Sequence, residues 1–199
     1  DIGALLAGLG VGGIAVALAA QNVLGDLLAS LSIVLDKPFV VGDFIVAGNE
    51  KGTIEHIGIK TTRLRSVSGE ELILSNKDLL ESRIHNHKRM WRRRAVINFG
   101  VVYSTPTEVL QVIPIWVKTF VEQHEKLLFD RCHFVKFGES SLDFELVFFV
   151  LDSDYSLYMD FQQRLLIDIF RKLSEENVDF AYPTQSLFVK KLIDKENVT

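Results

Sequence analysis

One long stretch near the start of the chain carries no charged side chain, and it restricts the possible folds more than any other feature. It runs from Ile2 to Gly25. A helix of that length reaches about 36 Å, at about 1.5 Å per residue, and the apolar core of a bilayer is about 30 Å thick. A secretory signal would instead have a basic start and a shorter apolar core. The stretch therefore predicts a membrane-spanning helix.

The composition of this stretch predicts that the helix touches other helices. Of the first 20 residues, 11 are Gly or Ala. Small side chains let helix backbones approach closely in lipid, where packing drives association. Gly8 and Gly12 form one small-xxx-small pair, and Gly13 and Ala17 form another.

One face of the predicted helix combines small residues with two bulky ones. At about 100° per residue, this face carries Ala7, Gly10, Val11, Ile14, Leu18 and Gln21. Ile14 and Leu18 lie one turn apart among smaller neighbours. If several copies surround an axis, these two residues form narrow apolar constrictions of the kind that gate a pore by dewetting. We therefore predict a pore-lining helix with Ile14 and Leu18 as its gate.

The end of the apolar stretch predicts a bend. Gln21 and Asn22 interrupt it, and Gly25 with Asp26 precede a second apolar segment. Helix kinks have local causes of this kind, so we predict a kink at Asn22 and Gly25. The second segment, residues 27–35, is predicted to be an amphipathic helix along or under the membrane, which completes a first domain of residues 1–36.

The start of the chain is also compatible with two other structures. Gly8, Gly10 and Gly13 satisfy the G-x-G-x-x-G pattern of dinucleotide-binding units, with Asp36 downstream. The strand that this motif requires would be residues 2–7, which lack β-branched residues after Ile2, and no further βα units follow. A buried helical hairpin of a soluble protein is the other alternative, which an uncharged stretch of this length makes uncommon.

Residues 37–94 predict a small β domain, which we interpret as barrel-like and of the Sm or SH3 type. Short apolar runs alternate with turn residues such as Gly48, Asn49 and Gly69. The predicted strands are Phe44–Ala47, Thr53–Ile59, Thr61–Ser66 and Glu71–Leu74. A short helix over residues 78–83 is predicted to follow, with Asn76 as its N-cap.

Residues 95–192 predict a ferredoxin-like α/β domain, followed by a tail of residues 193–199. The order is βαββαβ, with strands at residues 95–103, 131–137, 142–151 and around Phe180, and helices at residues 106–124 and 155–176. Thr105 and Glu108 have the spacing of a capping box, with Pro106 at the first helical position. The fold class is thus a membrane helix followed by α+β domains.

A basic run joins the two predicted domains and raises a second functional hypothesis. It contains Lys88, Arg89, Arg92, Arg93 and Arg94, interrupted by Trp91. Basic residues and an aromatic beside a small β barrel are compatible with an RNA-binding module. The net charge of −4, the absence of clustered aromatics and the unexplained apolar helix disfavour it. In a channel, the run would line a vestibule or face anionic lipid, and a solvated linker is the plain alternative.

The remaining reactive residues predict neither an enzyme nor a cofactor or metal site. His85 and His87 share one side of a strand but have no further ligand nearby. Cys132 next to His133 lacks a third partner at a recognisable spacing, and as the single cysteine it forms no internal disulfide, which favours a reducing compartment. No nucleophile elbow or P-loop is present.

The ordered motifs resemble those of the mechanosensitive channel of small conductance, the MscS family, over roughly residues 2–192. The motifs are Ala20-Gln21-Asn22, Asp36-Lys37-Pro38-Phe39-Val40-Val41-Gly42-Asp43-Phe44-Ile45, Gly52-Thr53-Ile54-Glu55, Thr61-Thr62-Arg63-Leu64-Arg65, Leu72-Ile73-Leu74-Ser75-Asn76, Ile84-His85-Asn86 and Tyr182-Pro183-Thr184-Gln185. Two positions depart from the family pattern. Asn22 stands where the family often has glycine at the kink, and Ser75 stands where it has proline.

The resemblance implies a homoheptamer in the cell inner membrane. The Ala/Gly-rich helix would line the pore, and the two following domains would form a cytoplasmic vestibule with side portals. It implies that membrane tension opens the channel to ions and small solutes, that lipids and other copies of the chain are the partners, and that no nucleic acid binds. Family members place further membrane helices before this one, and we expect the same here.

Overall fold

The computed structural model describes residues 2–185 and 187, without the side chains of residues 2, 4–7 and 22. The predicted tail of residues 193–199 lies outside the described residues. The chain divides into two compact units, residues 1–91 and residues 92–199.

The first unit consists of a long helix, an antiparallel sheet and a short helix. Helix α1 spans Ile2–Asp36 and helix α2 spans Asn76–Glu81. The strands are β1 (Phe44–Ala47), β2 (Glu50–Ile57), β3 (Thr61–Ser66), β4 (Glu71–Ser75) and β5 (Ile84–Asn86). They lie in the order β4-β3-β2-β1-β5.

Tight turns set the register of the first sheet. Ala47 pairs with Glu50 across Gly48 and Asn49, and Gly48 has a φ of 60°. Gly69, between β3 and β4, has a φ of 100°. Both angles lie in the region that glycine adopts without steric cost, so these glycines allow the short connections between antiparallel neighbours.

The core of the first unit includes one residue of the long helix. Ile33 of α1 is 1% exposed. It belongs to the same buried cluster as Phe39, Ile45, Ile54, Leu64 and Leu79. The second half of α1 is therefore packed onto the β sheet as part of one folded unit.

The predicted cap of the short helix was wrong by one residue. Ser75, not Asn76, is the N-cap of α2, and its hydroxyl accepts a hydrogen bond from the backbone N–H of Asp78 at 3.4 Å. Asn76 is instead fully buried. Its side chain makes long-range hydrogen bonds, described below, and such bonds cannot be inferred from local capping preferences.

The second unit consists of β6 (Arg93–Val101), α3 (Thr107–Glu122), β7 (Leu127–Phe137), β8 (Leu142–Val150) and α4 (Tyr155–Glu175). The strands lie in the order β6-β8-β7, with both neighbouring pairs antiparallel. Ile113, Val117 and Val121 of α3 share one buried cluster with the inward side chains of the strands. Leu165, Ile169 and Leu173 of α4 complete this cluster.

The predicted last strand around Phe180 is reduced to a single bridge in the described part of the chain. Phe180 pairs antiparallel with Val101. The backbone N–H of Ala181 also donates to the carbonyl of Gly100 at 2.9 Å. Pro183 has no N–H to donate, which prevents a longer ladder.

The predicted capping box at the start of α3 was also wrong. Pro106 occupies the N-cap position and makes no side-chain capping bond. The hydroxyl of Thr105, one residue before the N-cap, instead donates backwards to the carbonyl of Val102 at 2.7 Å. The N-cap of α4 is Asp154, whose carboxylate accepts from the backbone N–H of Ser156 at 2.8 Å.

Candidate functional site

The first half of α1 is apolar on all sides, and its side chains are largely exposed in the part of the chain that the structure describes. Ile14 is 63% exposed, Leu18 is 62% exposed, and Val16 on the opposite side is 70% exposed. Exposed apolar surface of this extent is unfavourable in water. A helix that is hydrophobic all round is normally covered by lipid or by other helices, so this segment requires such a cover.

The helix is bent within this apolar region. No straight helix among the described residues is both long and apolar enough to cross a bilayer. By length and composition alone, the segments Gly8–Gln21 and Val23–Asp36 could do so as a pair, bent by 40° where they join. The bend falls at residue 22, whose side chain is not among those described.

The residues predicted to line a pore share one side of the helix. A shallow apolar groove follows α1 across the bend, bordered by Ile14, Ala17, Leu18, Gln21, Leu24, Gly25 and Leu28. The gate residues predicted from the sequence are thus contiguous with Gln21. Ala17, which the sequence placed on a packing face, borders the same groove. Gly10 and Val11 are exposed, and the side chain of Ala7 lies outside the described set.

The glycines predicted to pack against other helices have open space around them. No atom lies within 4 Å of a Cβ built on Gly8, Gly12 or Gly13. In the part of the chain that the structure describes, no neighbouring atom therefore requires glycine at these three positions.

Beyond the bend, polar contacts attach α1 to the β sheet. The carboxylate of Asp26 accepts a hydrogen bond from the hydroxyl of Ser75 at 3.3 Å and lies 3.6 Å from the ammonium of Lys60. Gly25 also lies against Lys77, because a Cβ built on this glycine would be 3.7 Å from Cδ of the lysine. These contacts fix the segment of α1 that follows the bend, Val23–Asp36. We call it the lower segment, and the part of α1 before the bend the upper segment.

Sequence reasoning named Asp26 only as a neighbour of the bend and missed this attachment. The available signal was its isolation, since Asp26 is the only charged residue between Ile2 and Leu35. An ionisable group within an apolar helix usually has a specific partner. Its partners, Lys60 and Ser75, are 34 and 49 residues away and carry no local signal.

A second polar cluster holds the residues that follow the C-terminal end of α1. Asp43 is 5% exposed, and its carboxylate accepts from the side-chain amide of Asn86 at 2.7 Å. The backbone N–H of Val40 also donates to it, at 3.1 Å. The guanidinium of Arg89 lies 3.7 Å from the carboxylate and donates to the carbonyl of Lys37 at 2.7 Å.

The basic run therefore has internal contacts in both units. Arg89 belongs to the first unit and serves the cluster around Asp43. In the second unit, the guanidinium of Arg92 lies 4.4 Å from the centre of the Phe149 ring, and that of Arg93 lies 5.5 Å from the rings of Tyr155 and Tyr158. Lys88 and Arg94 are exposed.

The histidines and the cysteine form no metal site in the described part of the chain. No group of three His, Cys, Asp or Glu side chains there has suitable geometry. His85 is exposed, and the ring of His87 lies edge-on to Phe44 at 5.9 Å. Burial raises the pKa of the Cys132 thiol to about 12, which disfavours the reactive thiolate.

Two protein-family models match the chain, one in each of its two units. Residues 22–89 match the model for the mechanosensitive ion channel β-domain. Residues 95–180 match the model for the C-terminal domain of the mechanosensitive ion channel MscS. The chain belongs to the MscS family of mechanosensitive channels.

Curated relatives agree with this assignment. The small-conductance mechanosensitive channel MscMJ of Methanocaldococcus jannaschii is 34% identical over 192 residues, which cover 96% of this chain and 55% of the relative. The low conductance mechanosensitive channel YnaI of Escherichia coli is 26% identical over 194 residues, covering 94% of this chain and 56% of the relative. The chain thus spans about half the length of the relatives it matches.

Solved structures share the fold. Helicobacter pylori MscS in its closed state has a TM-score of 0.73 at 24% identity, over 95% of this chain and 74% of that one. Arabidopsis thaliana MSL1 has a TM-score of 0.78 at 22% identity, over 89% of this chain and 65% of that one.

Proposed function

We propose that this chain is the conducting core of a mechanosensitive ion channel that opens under membrane tension and releases ions and small osmolytes after hypo-osmotic shock. The observation that carries the proposal is the uncovered apolar surface of α1, on a helix fixed to a domain of the MscS family. No other residue that the structure describes covers this surface, and its exposure to water would be unfavourable. Lipid and other copies of the same helix would cover it.

We place the protein in the cell inner membrane, with residues 37–199 on the cytoplasmic side, as a homo-oligomer and specifically a heptamer. In that assembly α1 would face the axis with the groove that contains Ile14, Leu18 and Gln21. The β unit would adopt the barrel-like Sm or SH3 type of fold, and the second unit the ferredoxin-like fold, whose strand order is compatible with β6-β8-β7 and the Phe180 bridge.

The gate in this proposal is a hydrophobic seal formed by Ile14 and Leu18. A narrow ring of such side chains excludes water and therefore ions. Tension does work on any state with a larger area in the membrane plane, so it shifts the population towards a wider pore. The seal would break when the ring widens enough for water to enter.

Movement of the helices would depend on the small residues. Gly8, Gly12, Gly13 and Ala17 would allow neighbouring helices to slide or tilt at close approach. Asn22 and Gly25 would allow the upper segment to change its angle to the lower one. The basic run, whose Lys88, Arg89, Arg92 and Arg94 are exposed, would contribute positive charge to the vestibule or contact anionic lipid.

RNA binding, the other hypothesis raised by the sequence, receives no support from the comparisons. The outward face of the central strand β8 carries Asp143 and Glu145, and these carboxylates pair with Lys136 at 3.6 Å and with Arg131 at 2.8 Å. A sheet that binds RNA typically presents aromatic rings at this place for base stacking.

The experiment that tests the proposal is release of a trapped solute. The full-length protein is reconstituted into liposomes loaded with a self-quenching dye, which are then diluted into a hypo-osmotic buffer. We expect release that grows with the size of the osmotic step and is absent from protein-free liposomes. The matched variant Gly13→Leu should reduce release, because its side chain obstructs helix approach. Release equal to that of empty liposomes at all osmotic steps would refute the proposal.

A further inference from the structure

The polar contacts that attach α1 to the β sheet just after the bend involve one carboxylate, that of Asp26. The side chain of Asp26 is 16% exposed, and it contacts Lys60 in the turn between β2 and β3 and Ser75 at the end of β4. These two partners are distant from each other in the sequence. Something must hold them at the same place for Asp26 to meet both.

Asn76 connects the two partners. Its backbone N–H donates to the carbonyl of Lys60 at 3.0 Å. Its side-chain amide donates to the carbonyl of Gly58 at 2.8 Å, and its side-chain oxygen accepts from the hydroxyl of Thr62 at 2.7 Å. Asn76 also follows Ser75 directly in the chain.

These bonds determine the position of the turn that carries Lys60. The turn is closed by a hydrogen bond from the N–H of Gly58 to the carbonyl of Thr61 at 2.9 Å. Asn76 is fully buried, and its side chain bonds to residues on both sides of Lys60. Removing the amide would leave the hydroxyl of the buried Thr62 and the carbonyl of the partly buried Gly58 without these partners, which is unfavourable.

We propose that Asn76 is a positioning residue that acts through Lys60 and Ser75 to hold Asp26, and thereby fastens the lower segment of α1 to the β unit. The inference rests on the proposed function in one respect: it takes the bent helix to be the moving part of the channel. A change of angle at residue 22 would then leave the lower segment in place, because Asn76 holds the turn that carries Lys60 and directly follows Ser75 in the chain.

A double-mutant cycle tests the proposal. The full-length protein, purified as its oligomer, is prepared as wild type, Asp26→Ala, Asn76→Ala and the double variant. Hydrogen–deuterium exchange is measured at the backbone amides of residues 27–33. Each single variant is expected to raise exchange there about fivefold, as the loss of a partly exposed polar interaction of about 1 kcal/mol would, because the side chain of Lys60 is 73% exposed. The double variant should exchange no faster than Asn76→Ala alone, because both changes remove the same attachment.

Asn86→Ala provides the matched control. It removes a second asparagine side chain of the same unit. This asparagine is partly buried and bonds to Asp43, not to either partner of Asp26. Its effect on exchange should therefore multiply with that of Asp26→Ala. If Asn76→Ala fails to assemble, Thr62→Val replaces it, since this change removes only the hydroxyl that donates to Asn76. The criterion of the double-mutant cycle stays the same, and Thr62→Val alone is expected to raise the exchange of residues 27–33 about threefold.

The outcomes separate this inference from the proposed function. Exchange effects of Asn76→Ala and Asp26→Ala that multiply would overturn the positioning role, because a merely structural asparagine would behave as Asn86 does. Patch recordings on the same proteins supply the functional readout, and the tension for half-opening should show the same non-additivity. If the wild type carries no tension-activated current, the proposed function fails, while the exchange data still decide whether Asn76 positions Asp26.

Discussion

The carboxylate of Asp43 and the side-chain amide of Asn86 are joined by a hydrogen bond of 2.7 Å across 43 residues of sequence. This bond connects the turn after α1 to strand β5, the edge strand next to β1. Asp43 is nearly buried, so the donors around its carboxylate replace the hydrogen bonds that water would make. A buried charge is tolerated only when it is paired and hydrogen-bonded.

Asp43→Ala should therefore destabilise the first unit. The change leaves the amide of Asn86 and the N–H of Val40 without their acceptor, and we expect a loss of about 1 to 3 kcal/mol. The measurement is the thermal midpoint of the purified protein in detergent. Glu70→Ala is the control, because Glu70 is exposed. An equal midpoint for both variants would show that the bond contributes nothing.

Gly52→Ala should destabilise the pairing of β2 and β3. A Cβ at this position would lie 2.5 Å from the carbonyl oxygen of Arg65, and backbone atoms cannot rotate away as a flexible side chain would. Overpacking of this kind costs about 1 to 3 kcal/mol. Lys51→Ala, at the exposed neighbouring position, should leave the thermal midpoint nearly unchanged. The prediction is wrong if the two variants melt together.

Cys132 should resist thiol reagents in the folded protein. Its side chain is buried, and burial raises its pKa to about 12, so almost no thiolate is present at pH 8. A water-soluble disulfide reagent should label less than a tenth of the protein before unfolding, and all of it in denaturant. Rapid labelling of the native protein at pH 8 would contradict the burial of this residue.

Asp152 should make the second unit less stable in acid. Hydrogen bonding from the backbone N–H of Asp154 and then from Lys126 lowers the pKa of Asp152 below its ordinary value of 3.8. A lowered pKa means that the stabilisation is complete above the ordinary value and is lost as the pH falls through the lowered one. The wild type should therefore melt above Asp152→Asn at pH 7, with the gap closing towards pH 3. A gap that stays constant would refute the prediction.

Local patterns predicted most of the elements but not the contacts between them. The bounds of β1 and β3 were confirmed residue for residue, because turns that contain glycine precede and follow both strands. The start of β2 was missed, since Glu50 and Lys51 are exposed and carry no apolar signal. The membrane-spanning role of α1 remains a prediction.

The errors share a physical cause. Asn76 was assigned to a helix cap because asparagine prefers that position, yet its partners lie at Gly58, Lys60 and Thr62. A short strand was predicted around Phe180 as the last element of a βαββαβ order, yet only its bridge to Val101 forms among the described residues, and Pro183 has no N–H for a longer ladder. In both cases tertiary contacts or a missing donor outweighed a local preference.

The most direct test of the account is accessibility of the groove on α1 during opening. Leu18→Cys and, on the opposite side of the helix, Val16→Cys are reconstituted, and a water-soluble thiol reagent is added to excised patches with and without suction. The buried Cys132 gives no background. We predict that the current through Leu18→Cys falls irreversibly only when reagent and tension are applied together, and that Val16→Cys is unaffected. Equal modification of both variants, or none of Leu18→Cys under tension, would contradict a pore lined by this face of α1.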